Sequence, residues 1–169
     1  MPTNVNSDIS ARKSQEQQLV AFTIGNQEFG IDISQVREIV RLSQITYLPK
    51  APVFIEGVVN LRGQVLAVID LAKKLGLTAQ ARGEHSRIII VEACGNTVGM
   101  IVDSVSEVLR LSSISTEAVP RLYDTAVPDH YIRGIGKLKD RLLVFLDLQA
   151  ILSSEEVQRM DSALRAAPA

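Results

Sequence analysis

From Leu19 to Leu152 the apolar residues fall in short runs broken by polar turns, whereas residues 1–18 are dominated by Asn, Ser, Gln and charged side chains. The polar stretch predicts a disordered tail, with structure starting at Leu19. Gly57 to Ile69 (GVVNLRGQVLAVI) predicts a strand, a polar turn holding a glycine, and a second strand. Gly134 to Leu146 predicts the same hairpin, turning at Lys139-Asp140. Each hairpin runs into an aspartate, Asp70 or Asp147, placed to cap a short helical turn: Leu71 to Leu75 closed by Gly76, or Leu148 to Leu152. Ser34 and Asp103 read as N-caps of two further one-turn helices, because apolar residues stand at Ile33, Val36 and Val40, or at Val102, Val105 and Leu109. Ser153-Ser154-Glu155-Glu156 is a capping box and predicts a C-terminal helix over 153–166, with Val157, Met160 and Leu164 on one face.

These elements repeat. At an offset of 69, Phe29 to Ile45 overlays Val98 to Ile114, with Gly30/Gly99, Val36/Val105, Glu38/Glu107, Arg41/Arg110 and Leu42/Leu111 among the identities. At an offset of 77, Phe54 to Leu75 overlays Tyr131 to Leu152, sharing Gly57/Gly134, Leu61/Leu138, Leu66/Leu143 and Asp70/Asp147. The change of offset places about eight extra residues between Ser115 and His130. Identities in Gly, Asp, Glu and Arg argue for a duplicated unit rather than shared composition. Strands in units this small leave exposed edges unless each sheet closes on itself, which predicts a small barrel per repeat. The expected fold is therefore all-β with short helices: one lobe over about 19–76, one over 88–152, with strands open to exchange between them, and a linker over 77–87.

Composition narrows the function. Val and Ile number 34 against 18 Leu, a β-branched excess that favours strands over a helical bundle. With 4 Phe, 3 Tyr and no Trp, there is little from which to build a stacking platform for nucleic acid. The formal charge is −1 and no basic run is present, so phosphate backbones are poor partners. The single Cys94 excludes an intramolecular disulfide and fits a reducing compartment. No charged start leads into an apolar stretch, so no signal peptide is expected, and every apolar run is far shorter than the roughly 20 residues of a membrane span.

Candidate chemistry is sparse. His85 and His130 stand in loops without partners at metal-ligand or nucleophile spacing, so neither a metal nor a catalytic residue is expected. Gly134-Ile135-Gly136 is followed by a strand pattern rather than a helix and fails as a phosphate loop. Asp70 and Asp147 occupy equivalent positions, and capping accounts for both. What folding does not require is the first hairpin's Asn60, Arg62, Gly63 and Gln64, where the second copy has Lys137, Lys139, Asp140 and Arg141. The duplication also places Val36 with Val105, and Ile39 with Val108, as candidate matching walls of a groove suited to a partner helix.

The segments GIDISQVREIVRL, GVVNLRGQVLAVIDL, VGMIVDSVSEVLRL and HYIRGIGKLKDRLLVFLDLQAIL closely resemble the CheW-like chemotaxis coupling family, over Gln18 to roughly Leu164. The resemblance implies two tandem SH3-like five-stranded β-barrels, no catalysis and no cofactor. It implies a cytoplasmic adaptor, recruited to membrane receptor clusters through its partners, that joins the tips of methyl-accepting chemotaxis receptors to the histidine kinase CheA. By position it implies receptor-side residues Val36, Glu38, Ile39, Arg62, Val105 and Val108, beside a specialised turn of Gly57, Asn60, Leu61 and Gly63. Kinase contacts fall on Ile45, Gln64 and Val65. Glu38 and Arg62 are expected to face each other and orient the hairpin. The competing expectation is an SH3-like module of another chemosensory-type or nucleic-acid-binding system. Chain length leaves no room for the dimerisation, ATP-binding or receiver parts of larger proteins that carry this unit.

Overall fold

β-branched runs that alternate with turns give eleven strands in a computed structural model, which describes residues 18–49, 53–93, 95–110, 115–117, 127, 129–138 and 141–152. They are β1 (Gln18–Ile24), β2 (Gln27–Asp32), β3 (Val36–Arg41), β4 (Ile55–Leu61), β5 (Gln64–Asp70), β6 (Arg87–Ala93), β7 (Asn96–Val102), β8 (Ser104–Arg110), β9 (Ser115–Glu117), β10 (Ile132–Leu138) and β11 (Arg141–Leu146). Two short helices follow the hairpins, α1 (Leu71–Leu75) and α2 (Leu148–Ile151). The tail 1–17, Cys94, the turn Lys139-Asp140 and the expected C-terminal helix from Ser153 lie outside the described residues.

The strands form two sheets, ordered β3-β6-β7-β5-β4 and β8-β1-β2-β11-β10-β9. Under the repeat offsets β1 corresponds to β6, β2 to β7, β3 to β8, β4 to β10 and β5 to β11, so the two orders are the same order. Each sheet nevertheless mixes the copies. The first lobe in space is β3 to β7, contiguous in the chain, while the second joins β1 and β2 to β8–β11. The joints are the two parallel pairs, β5 with β7 and β2 with β11; every other strand pair is antiparallel.

Each sheet also returns to its far edge. In the first lobe Thr46 and Val58 exchange both backbone hydrogen bonds at 2.8 Å. In the second, the strand β9 pairs with β10, which makes that sheet six-stranded rather than five. The all-β, SH3-like class expected from the sequence is the one observed.

Three apolar clusters result. One fills the first lobe, around Val59, Leu66, Val68, Ile88, Ile90 and Ile101. A second fills the other lobe, around Leu19, Ala21, Leu143 and Phe145. The largest lies between the sheets and draws on both, including Phe22, Phe29, Ile69, Ile89, Met100 and Val144. Burial of each such side chain contributes about 1.5–3 kcal/mol, so most of the apolar stabilisation holds the lobes together.

The helix caps divide. Asp70 and Asp147 cap α1 and α2 through the backbone N–H groups of Lys73 and Ala150, as expected, and Gly76 closes α1 in the left-handed region. The caps read at Ser34 and Asp103 are corrected. The first is a 3-10 turn, Ile33–Gln35, capped by Asp32, and the residues after it enter β3. At the second there is only a bend, and the Asp103 carboxylate accepts from the N–H groups of Gly25 (2.7 Å) and Gln80 (2.9 Å). Asp103 thereby ties the linker to the β1–β2 turn.

Candidate functional site

The β4–β5 pairing ends at Leu61 opposite Gln64, leaving Arg62-Gly63 as a two-residue loop. Both have positive φ, 52° and 84°, as a type I′ hairpin turn requires. Glycine meets that demand without cost, whereas arginine does not. Among the described residues Arg62 is the only non-glycine with positive φ. The Asn60 side-chain oxygen accepts from the Gly63 N–H at 2.9 Å, locking the loop, and Leu61 packs inward on the first-lobe cluster. Arg62 then points its guanidinium at the Glu38 carboxylate on β3, forming the expected ion pair. Beside it lies a recess of about 300 Å³ bounded by Arg37, Gln64 and Thr97.

A bulge decides which face of β3 each residue occupies. The register runs Val36 opposite Val91, then Glu38 opposite Ile90, so Arg37 is the extra residue. Val36 and Ile39 therefore share the face of Val91 and Ile89, which belongs to the core between the lobes. Glu38 and Val40 share the barrel-interior face of Ile90 and Ile88. β8 repeats the device. Val105 opposes Phe22 and Val108 opposes Val20, both on the inter-lobe face, while Glu107 opposes Ala21 on the other. Val36 and Val105 are half-buried against the central core, and further along their strands Ile39 (38%) and Val108 (50%) emerge into solvent. All four aliphatics thus sit on the two faces that meet between the lobes.

Gly57 is not part of the turn. It lies in β4 at a register shift, where a Cβ would come within 2.1 Å of the Thr46 carbonyl oxygen. Its role is to let the returning chain close the barrel. Ile45 packs on the first-lobe cluster, Gln64 is exposed, and Val65 is half exposed on the outer side of the hairpin.

Sequence reading missed Leu142, 44% exposed and equivalent to Val65 by the offset of 77, a signal already in the repeat. It also missed Arg141, which pairs with Glu107 and, at 3.3 Å, with Glu28. A third omission is Arg82 of the linker, 3.0 Å from Glu56 and 3.2 Å from Asp70. Burial alone would push the Glu56 carboxyl up; the charges of Arg82 and Lys73 and their hydrogen bonds outweigh it and hold the carboxyl below its ordinary value of 4.5.

Asp70 is engaged by Lys73 N–H and Arg82, and Asp147 by Ala150 N–H, so both carboxylates have structural partners. Among the described residues no group of three His, Cys, Asp or Glu side chains is placed to hold a metal, and no helix is long and apolar enough to cross a membrane. Paired barrels that present repeated aliphatic strips rimmed by a few charges define a protein-docking module. Residues 18–156 match the family model of the CheW-like domain, and the chain belongs to that family. It is 36% identical to the chemotaxis protein CheW of Klebsiella aerogenes, over 88% of this chain and 89% of that one. It is 31% identical to CheW of Treponema pallidum, over 85% and 86%. The crystal structure of the scaffolding protein TtCheW from Thermoanaerobacter tengcongensis superposes with a TM-score of 0.73 at 36% identity, over 83% of this chain and 90% of that one. Within this family the protein is a chemotaxis adaptor, not an enzyme.

Proposed function

We propose that the adaptor couples methyl-accepting chemoreceptors to the histidine kinase CheA by holding one partner on each of two surfaces. The receptor's helical tip occupies the strip of Val36, Ile39, Val105 and Val108, with Glu38 and Arg62 at its rim. The kinase's regulatory domain packs on the outer side of the first hairpin, at Gln64 and Val65, with Ile45 supporting that wall from inside. The protein acts in the cytoplasm and reaches membrane receptor clusters through these contacts. The observation that carries the reading is the duplicated bulge, which turns Ile39 and Val108 onto the inter-lobe faces and leaves them partly exposed there. An aliphatic pair of this kind suits a helix laid across it. Pull-downs with a receptor cytoplasmic fragment and with the kinase's regulatory domain test the assignment. Ile39→Asp with Val108→Asp should lose the receptor and keep the kinase, and Val65→Asp should do the reverse. Retention of neither partner by the wild type would remove the reading.

A further inference from the structure

Beyond Ile39 the same face of β3 ends in a concentration of positive charge. Arg41 lies two residues on, hence on the inter-lobe face, and stands directly opposite Arg87 of β6. Like charges placed directly across a strand pair destabilise it, so the arrangement runs against folding. Arg87 is held back by the carbonyl oxygens of Glu84 and Ser86, each accepting from its Nη1 at 2.8 Å. Arg41 is exposed, and its side chain makes no hydrogen bond or ion pair with a described residue. The two line a recess of about 360 Å³ together with Leu42, Glu84, His85 and Ser86. Among the described residues Glu84 supplies the one negative charge there, against two arginines, in a chain whose net charge is −1. At the equivalent place in the second lobe Arg110, the repeat partner of Arg41, opposes Gln18.

We infer that this recess receives a carboxylate side chain of the helical partner, an inference that rests on the receptor reading above. Two strand residues span about 7 Å, and a helix rises 1.5 Å per residue, so a helix running along β3 would place this acid about one turn from the residue that touches Ile39. The partner is thus a helix with an apolar contact residue and an Asp or Glu at i+4 or i−4 from it. A carboxylate set between the arginines offsets the cross-strand repulsion and gains charge-assisted hydrogen bonds that a free phosphate or a neutral helix face does not combine with the apolar contact. The site selects which helices dock and fixes their register.

The test is titration of a receptor cytoplasmic fragment onto the full chain, as wild type, Arg41→Ala, Arg41→Glu and Ile39→Ser. Arg41 supports no other side chain and faces a like charge, so its variants should melt at or slightly above the wild-type temperature. Arg41→Glu should weaken binding about tenfold or more and flatten its salt dependence, and a Glu→Arg change one turn from the apolar contact on the receptor should restore it. If wild type binds and Ile39→Ser weakens it while Arg41→Glu does not, the carboxylate inference fails and the receptor reading stands. If wild type does not bind, both fall. Retention of a single-stranded DNA oligonucleotide by wild type, lost in Arg41→Glu, would overturn the carboxylate assignment in favour of a phosphate partner.

Discussion

The two lobes hold the same glutamate in two different ways. Glu38 and Glu107 are equivalent and identical, and each receives an arginine from the neighbouring hairpin. In the second lobe that arginine is Arg141, in ordinary strand conformation on β11 and also paired with Glu28. In the first it is Arg62, held in the left-handed region at the tip of the turn and 71% exposed. The second arrangement satisfies the glutamate without backbone strain, so nothing about closing a barrel demands the first. A residue kept in a disfavoured conformation points to use of its side chain at a partner surface. At the hairpins the duplication thus separates scaffold from use: Arg141 ties its barrel together, whereas Arg62, which only the first copy has, faces outward.

The comparison breaks most visibly if the copies are separated. The sheets mix strands of both repeats through β5–β7 and β2–β11, and the largest core lies between them. A fragment of residues 19–76, one repeat copy, should show no cooperative thermal transition by circular dichroism. In the whole chain Met100→Ala, which empties part of the shared core, should cost about 2–5 kcal/mol while the lobes still melt in one transition. A sharp melt of the isolated fragment would show that one repeat copy folds without the other, and two separate transitions in Met100→Ala would show that the lobes melt independently.

Glycine positions in the first lobe give the next contrast. Gly57→Ala drives a Cβ against the Thr46 backbone, which cannot swing aside as a side chain can. Its cost should reach the upper end of the roughly 1–3 kcal/mol of overpacking. Gly63 has open space around it and pays only for its φ of 84°, so Gly63→Ala should cost about 1–2 kcal/mol. Chemical denaturation that ranks Gly63→Ala as the worse of the two would contradict the assignment of Gly57 to barrel closure.

Much of this architecture is legible in the sequence because the repeat fixes strands, hairpins and the caps at Asp70 and Asp147 together. What is not legible is set by contacts far apart in the chain. Which β5 pairs with which β7 depends on parallel joints that leave no local pattern. The bulges at Arg37 and Ser106 mislead in a specific way. Inserting one residue changes the spacing of same-face aliphatics from two to three, Val36 to Ile39 and Val105 to Val108, and that spacing reads as helix. The misread caps at Ser34 and Asp103 follow from it. The turn residues stand out because the two copies differ there, and Leu142 and Arg141 stand in the second copy at the positions of Val65 and Gln64.

Arg62 offers a smaller effect with opposite signs in two assays. Arg62→Gly removes an exposed ion pair worth about 0–1 kcal/mol but relieves about 1–2 kcal/mol of left-handed backbone, so stability should hold or rise by about 1 kcal/mol. Receptor-fragment binding should nonetheless fall. Arg141→Ala should leave that binding unchanged, because its counterpart role is structural. A double-mutant cycle between Glu38 and Arg62 on receptor binding should show coupling; additive effects would remove the pair's orienting role.

The smallest contrast lies at the two capped helices. At α1 the cap Asp70 stands in a network with Arg82, Glu56 and Lys73, whereas at α2 the position of Glu56 is taken by Arg133, stacked 4.6 Å from the Phe145 ring centre. Only the first cap therefore has a second acid beside it, Glu56, whose ionisation favours the folded state. Burial opposes that ionisation, but Arg82 and Lys73 outweigh it, so the folded carboxyl titrates below its ordinary value of 4.5. A group shifted down in this way stabilises the protein fully above the unfolded value and loses that contribution as pH falls through the folded one. Glu56→Gln should thus lower stability at pH 7 by up to about 1 kcal/mol, and the gap between variant and wild type should close as the pH falls below 4.5. A gap that stays constant through that range would mean that Glu56 acts by packing alone and that the two caps differ in shape, not in charge.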